Sequence, residues 1–301
     1  MLNRISPRDF SIDTEIIAPK IYWDFQREIS SKWILVNDEV RWELEDFLQE
    51  YARFLWITNR KIIFRIDAYF DENKLYILDM NASFVDGWWN AINFTRAVSW
   101  GVWEILSWYF PASFFLQEDV YRPEFELAIR EIWQQTWECI WETKTLDFSK
   151  QTYVYWSLKD SETQENFYPF NWIKNDDKRN LARFSRIWRW DLVRIPYIFS
   201  PEEIKYSELP ENVALKVASK NDIKSDWRNK VFIWKPKKWQ SLWEEWKLVA
   251  QTLQNPQKND NWENMQAIIL TAWAKVIAWY VQNSARNIIN DSSVQSPLVF
   301  K

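Results

Sequence analysis

The sequence predicts a mixed α and β fold, α+β in its bulk with a small α/β insert. Three observations carry that expectation. A helical-period stretch from Asp38 to Leu55 runs directly into a hairpin pattern, strand and helix signals alternate on a short scale between residues 112 and 160, and the last third reads almost wholly as strands. The expected organisation is an N-terminal part over 1–110 that holds the hairpin, the insert over 111–170, and a third part over 171–301.

Residues 1 to 36 carry Pro7 and Pro19 and no periodic pattern, so they are expected to be irregular. From Asp38 to Leu55, Val40, Leu44, Phe47, Leu48, Tyr51 and Leu55 recur at helical spacing while Glu43, Glu45, Glu50 and Arg53 face away. Lys61 to Phe70 and Leu75 to Met80, joined by Asp71-Glu72-Asn73-Lys74, read as a hairpin. A helix is expected from Asn90 to Leu106. The insert reads as strand Ser113 to Leu116, helix Pro123 to Thr136 and strand Thr152 to Trp156. Next come a helix from Asp176 to Ile187 and an extended stretch from Leu192 to Phe199. Strands follow at Val213 to Ala218, Val231 to Ile233, Lys247 to Leu253, Met265 to Thr271 and Lys275 to Val281, with loops at Asn221 to Asn229 and Lys235 to Trp246.

Composition narrows the chemistry. The 38 basic and 42 acidic residues leave a net charge of -4, which argues against nucleic acid as a partner. The single cysteine, Cys139, excludes an internal disulfide and suits a reducing cytoplasm. No secretory signal stands at Met1, and no apolar run of about 18 residues predicts a membrane span. Histidine is absent, which removes Ser-His-Asp triads, Cys-His dyads and histidine zinc sites together. Carboxylates, lysines, arginines and a bound metal remain.

The chain holds 24 tryptophans and 2 glycines, whereas an ordinary domain carries roughly 7% glycine. The tryptophans stand in turn contexts, as in Asp226-Trp227-Arg228, Asn261-Trp262-Glu263, Lys238-Trp239 and Arg189-Trp190-Asp191, where glycine ordinarily supplies a positive φ. The expectation is a gene whose UGA codons mean glycine, so that most of these positions are glycine in the living cell. The competing reading is a tryptophan-lined carbohydrate binder, which would cluster its rings rather than scatter them from Trp23 to Trp279.

Arg65-Ile66-Asp67 followed by Asp79-Met80-Asn81 is the strongest constellation. Residues two apart on a strand share a face, so Arg65 joins Asp67 and Asp79 joins Asn81. Two carboxylates and an amide oxygen suit Mg²⁺, and the guanidinium suits phosphate. The alternative is the polar surface of a half-exposed hairpin. A second feature is Lys216, ending the apolar run Val213-Ala214-Leu215 and followed by a loop in which glycine at Trp227 would let backbone N–H groups approach an anion. The bland alternative is a solvated strand end. A third is Gln251, closing the apolar Leu248-Val249-Ala250.

The order of these features resembles the carboxylate-amine ligases of the ATP-grasp superfamily, in particular the synthetase domain of glutathionylspermidine synthetase and, more distantly, eukaryotic glutathione synthetase. In that family an Arg-x-Asp strand precedes a Glu-x-Asn strand, and the ATP-binding lysines come later. Here Asp79 stands twelve positions after Asp67. Asp176-Asp177-Lys178 is similar to the family's Asn-Lys helix start, Lys216 to its second ATP lysine, and Ser225 to Ile233 occupies the place of its phosphate loop. Val249-Ala250-Gln251 through Pro256, Ala267 to Val281 and Ile289-Asn290-Asp291-Ser292 to Pro297 resemble the family's closing strands, so the likeness covers roughly 58 to 300.

The resemblance implies an ATP-grasp-like fold and an ATP- and Mg²⁺-dependent ligase that joins a small-molecule or peptide carboxylate to an amine through an acyl phosphate. It implies Asp67, Asp79 and Asn81 for the metal, Lys178, Lys216 and Trp227 for ATP phosphates, Gln251 for the adenine side, and Arg65 for the acyl phosphate. Three departures stand against it. Asp79 replaces a glutamate, Trp227-Arg228-Asn229 lacks the phosphate-loop Arg-Glu pair, and Gln282 takes the place of a late arginine. Loss of a cationic clamp costs on the order of a thousandfold in rate. Either another arginine such as Arg286 substitutes, or the chain is a non-catalytic nucleotide-binding or interaction module.

Overall fold

The computed structural model describes residues 8–9, 32–57, 63–71, 74–81, 91, 113–116, 141–142, 152–155, 167–168, 177–219, 231–233, 235–259, 261–272, 274–285 and 294–300. The expected helices at Asn90 to Leu106 and Pro123 to Thr136, and the loop holding Trp227, lie outside them, Ala91 apart.

The described strands form three sheets. The largest has eight strands: β1 (Arg8–Asp9), β2 (Lys32–Val36), β3 (Ile63–Asp71), β4 (Lys74–Asn81), β9 (Val193–Arg194), β14 (Asn264–Ala272), β15 (Lys275–Ser284) and β16 (Val294–Phe300). Their spatial order is β1-β2-β16-β15-β14-β3-β4-β9, antiparallel except at β2/β16 and β4/β9. The second sheet is antiparallel in the order β10-β13-β11-β12, from β10 (Ile198–Phe199), β11 (Val213–Val217), β12 (Val231–Phe232) and β13 (Leu248–Thr252). The third is parallel in the order β6-β5-β7-β8, from β5 (Ser113–Leu116), β6 (Trp141–Glu142), β7 (Thr152–Tyr155) and β8 (Phe167–Tyr168). All strands of the third sheet fall within the expected insert. The large sheet, by contrast, draws strands from both sides of it.

Helix α1 (Asp38–Phe54) follows the predicted period and buries Val40, Leu44, Phe47, Leu48, Tyr51 and Ala52. Asn37 caps it, its side-chain oxygen accepting from the Glu39 N–H at 2.9 Å, and Asp38 and Glu39 in the first turn complement the helix dipole. The buried stripe lies on the face of the large sheet carrying Phe64, where Tyr51 meets Phe64 edge-on with ring centroids 6.2 Å apart. Phe47 also meets Phe184 at 5.4 Å and Trp188 at 5.1 Å. This aromatic cluster pins α2 (Lys178–Phe184) to α1. A second core packs Trp239, Trp243, Tyr206 and Leu209 against Val213, Leu215, Val217, Leu248 and Ala250, one face of the second sheet.

Several expectations need correction. The N-terminal stretch is not wholly irregular, since β1 and β2 extend the large sheet, and β2 pairs with β16 near the far end of the sequence. Glu43 and Glu45 are not idle solvent-facing charges. Glu43 Oε1 accepts the N–H groups of Leu192 and Val193 at 2.8 and 2.7 Å, which ties strand β9 to the helix, and Glu45 binds Lys275 Nζ at 2.7 Å. The predicted loop from Lys235 to Trp246 contains a 3₁₀ turn at Lys237–Trp239 and a short helix, α3 (Gln240–Glu244), because Trp239 and Trp243 are buried in the second core. Helix α2 is shorter than expected. Asp177 takes the Arg179 N–H as a cap at one end, and beyond Ser185 the chain turns so that Trp188 reaches the aromatic cluster.

Candidate functional site

The large sheet's two faces alternate along β3. Phe64, Ile66, Ala68 and Phe70 belong to the core, while Arg65, Asp67 and Tyr69 lie on the opposite face. Across on β4 the phase breaks. Phe70 pairs with Leu75 and Ala68 with Ile77, but Asp67 pairs with Asp79 and Arg65 with Asn81, so Leu78 is an extra residue bulged out of register. Without that bulge Asp79 would share the face of Leu75 and Ile77 and point into the core. The bulge instead sets both carboxylates, the guanidinium and the Asn81 amide side by side. Its sequence trace is the break in apolar spacing, Leu75 and Ile77 followed by Met80.

The second sheet supplies the other half. Its core face is occupied, and Ala214, Lys216 and Gln251 lie on the other face, with Ala214 directly opposite Gln251. From there Lys216 Nζ donates to Gln251 Oε1 at 2.7 Å and crosses to the large sheet, where it donates to the Leu78 carbonyl at 2.8 Å. The bulged residue thus presents the carbonyl that receives the lysine. Lys178, first residue of α2, holds both oxygens of Asp79 at 2.8 and 2.9 Å. Its own N–H binds the Ala218 carbonyl at 2.8 Å, fixing the helix start to the end of β11. Arg65 grips Asp67 in a two-pronged pair, Nε to Oδ1 at 3.0 Å and Nη2 to Oδ2 at 3.1 Å.

Electrostatics follow from this crowding. Burial pushes the Asp67 carboxyl above its usual value, Arg65 opposes the push, and the negative Asp79 adds to it. Burial also lowers Lys216 to about 8, with Asp79 pulling the other way and Lys178 reinforcing the drop. Tyr69 rises to about 12, chiefly by burial and then by the charge of Asp67. Two buried donors, Asn81 Nδ2 and Gln251 Nε2, find no hydrogen-bond partner in the described site. Such groups are costly unless something else meets them.

Of the expected site residues, Arg65, Asp67, Asp79, Asn81, Lys178, Lys216 and Gln251 therefore come together, whereas Trp227 and Arg286 lie outside the described residues. Gln282 lies on the same sheet face, opposite Gln266, which is opposite Tyr69. That puts it two strands away from β3, about 10 Å across the sheet. Among the described residues no group of three His, Cys, Asp or Glu could cage a metal. The donors present, two facing carboxylates beside an amide, fit Mg²⁺ in the way that ion is usually held, by one or two carboxylates together with substrate phosphates.

Fold and site together define a mixed α+β protein with a charged cluster where two sheets meet. No family model and no curated protein matches the chain. Among solved structures it is similar to a protein from Methylobacillus flagellatus KT provisionally called a gamma-glutamylcysteine synthetase, at 11% identity and a TM-score of 0.45, over 98% of this chain and 88% of that one. Among the described residues no helix is long and apolar enough to cross a membrane.

Proposed function

We propose that the chain is an ATP-grasp-like, ATP- and Mg²⁺-dependent ligase that joins a carboxylate to an amine through an acyl phosphate. What carries the reading is the meeting of Arg65, Asp67 and Asp79 from one sheet with Lys178, Lys216 and Gln251 from the elements facing it. The substrate carboxylate oxygen attacks the γ-phosphorus and ADP leaves. The amine nitrogen then attacks the acyl carbon, phosphate departs, and the nitrogen loses a proton. Such chemistry asks the protein mainly for positioning and for charge that matches the phosphates. Lys178 and Lys216 hold the phosphates, the Gln251 amide reads the adenine side, and Arg65 steadies the acyl phosphate. Mg²⁺, held by Asp67, Asp79 and Asn81, neutralises phosphate charge when bound.

The decisive experiment is ADP release with a panel of acids and amines. Asp67→Ala should abolish Mg²⁺-dependent release while leaving the circular dichroism spectrum unchanged, and undiminished release would refute the metal assignment. A second reading, a nucleotide-binding module without turnover, is favoured by one observation. The site face carries the neutral, buried Gln282 where the family resemblance calls for a cation. Binding of ATP with no ADP formed from any pair offered would select it.

A further inference from the structure

We infer that positions 56, 246 and 262 are glycine in the protein as its own cell makes it, because its gene spells them UGA and its translation reads UGA as glycine, while positions 188 and 243 are true tryptophans. This inference is independent of the ligase reading. Among the described residues, the non-glycine positions with φ above zero are Trp56 at 56°, Trp246 at 62° and Trp262 at 63°. All three are tryptophan. Asn and Asp, the residues other than glycine that best tolerate this region, occupy none of them.

Each position sits in a motif whose geometry asks for glycine. Helix α1 has Leu55 as its C-cap, and beyond it the Trp56 N–H binds the Arg53 carbonyl at 3.0 Å while the Ile57 N–H binds Ala52 at 2.9 Å. Helix α3 repeats the pattern past Glu245, with the Trp246 N–H on Trp243 and the Lys247 N–H on Leu242, both at 2.9 Å. These paired bonds are the Schellman ending, whose left-handed residue is ordinarily glycine. At the third position the Trp262 N–H binds the Asn259 carbonyl at 3.0 Å and the Asn259 N–H binds Glu263 at 2.9 Å, a turn closed by a left-handed residue as in a bulged hairpin loop.

The side chains agree. Trp56 is 89% exposed, Trp262 78% and Trp246 36%, and Lys258 Nζ lies 5.6 Å from the Trp262 ring centre. An indole gains little from such positions. Trp188 and Trp243 behave oppositely: both are buried, and their ring N–H groups donate to the carbonyls of Val193 at 2.9 Å and Ile204 at 3.2 Å. Trp239, although its sequence context is turn-like, has φ of -94° and is buried against Phe232, so its geometry makes no demand for glycine. Position 246 also bears on the candidate site. Its carbonyl accepts from Arg179 Nη1 at 3.0 Å, next to Lys178, so the left-handed turn helps set where α2 begins. The partner this requires is a transfer RNA that pairs with UGA and carries glycine.

The test reads the gene and the native protein together. The expected result is UGA at codons 56, 246 and 262 and UGG at 188 and 243, with peptides from protein purified from its own cells showing glycine at the first three positions and tryptophan at the other two. A UGG codon at any of the first three, or tryptophan in the native peptides there, overturns the inference. So does UGA read as glycine at 188 or 243.

Discussion

Replacing Lys216 by methionine separates a lysine kept for stability from one kept for a ligand. Burial holds Lys216 at about 8 against its ordinary 10.5, so keeping it charged at neutral pH costs the fold roughly 3 kcal/mol. The sign is fixed by proton counting. Between those two values the unfolded chain retains a proton that the folded chain has released, so stability rises with pH across that window. Lys216→Met removes the cost but strips the donor from Gln251 Oε1 and from the Leu78 carbonyl, at about 1–3 kcal/mol for each acceptor left unmet. The two effects nearly cancel near pH 7. Urea titrations of both proteins in steps from about pH 7 to about pH 10 should show the wild type gaining on the variant by up to roughly 3 kcal/mol. A difference that stays flat to within about 0.5 kcal/mol would mean that Lys216 titrates as an ordinary surface lysine, and the buried crossing between sheets would be refuted.

Three further outcomes follow from the same geometry. ATP affinity measured by calorimetry should weaken above about pH 8, by at most about tenfold per pH unit, as Lys216 gives up its proton, and this dependence should vanish in Lys216→Met. Deleting Leu78 should make the β3–β4 ladder regular with Asp79 still opposite Asp67 but remove the carbonyl that receives Lys216, lowering stability by about 1–3 kcal/mol and weakening ATP binding, whereas Leu78→Ala keeps the backbone carbonyl and should retain ATP binding. Trp56→Gly should raise stability by about 1–2 kcal/mol in a denaturant melt, the cost of holding a residue with a Cβ in the left-handed region, and a loss would contradict the C-terminal geometry of α1.

Apolar period made α1, the β3–β4 hairpin and the later strands legible, because each buries one face and the burial writes itself into the spacing of Leu44, Phe47 and Tyr51 or of Phe64, Ile66 and Ala68. The grouping of Arg65, Asp67, Asp79 and Asn81 was legible too, although its cause was not. A plain hairpin closing on Asp71 and Lys74 would pair Asp67 with Leu78, and only the bulge brings Asp79 opposite. The contacts that complete the cluster leave no local mark. Lys178 and Asp79 are 99 positions apart, and Lys216 meets a backbone carbonyl that any residue at 78 would offer. Glu43 looked like one more solvated charge on α1 because the backbone groups it receives, those of Leu192 and Val193, lie about 150 residues later.

The charge pattern of the cluster bears on which ligand it takes first. Arg65 is matched with Asp67 and Lys178 with Asp79, while Lys216 faces two neutral acceptors. The described site therefore carries one positive charge in excess, lodged on a lysine whose protonation burial already disfavours. An arriving anion relieves that strain at once. A bare divalent cation instead has to take the carboxylates from Arg65 and Lys178 while adding charge of the sign already in surplus. The same exchange becomes favourable once phosphates are present, because the displaced guanidinium and ammonium then have oxygens to bind. Magnesium titrated alone should accordingly bind far more weakly than magnesium titrated with ATP. Strong binding of the free ion would place the metal ahead of the nucleotide and would contradict the cation pairs at Asp67 and Asp79.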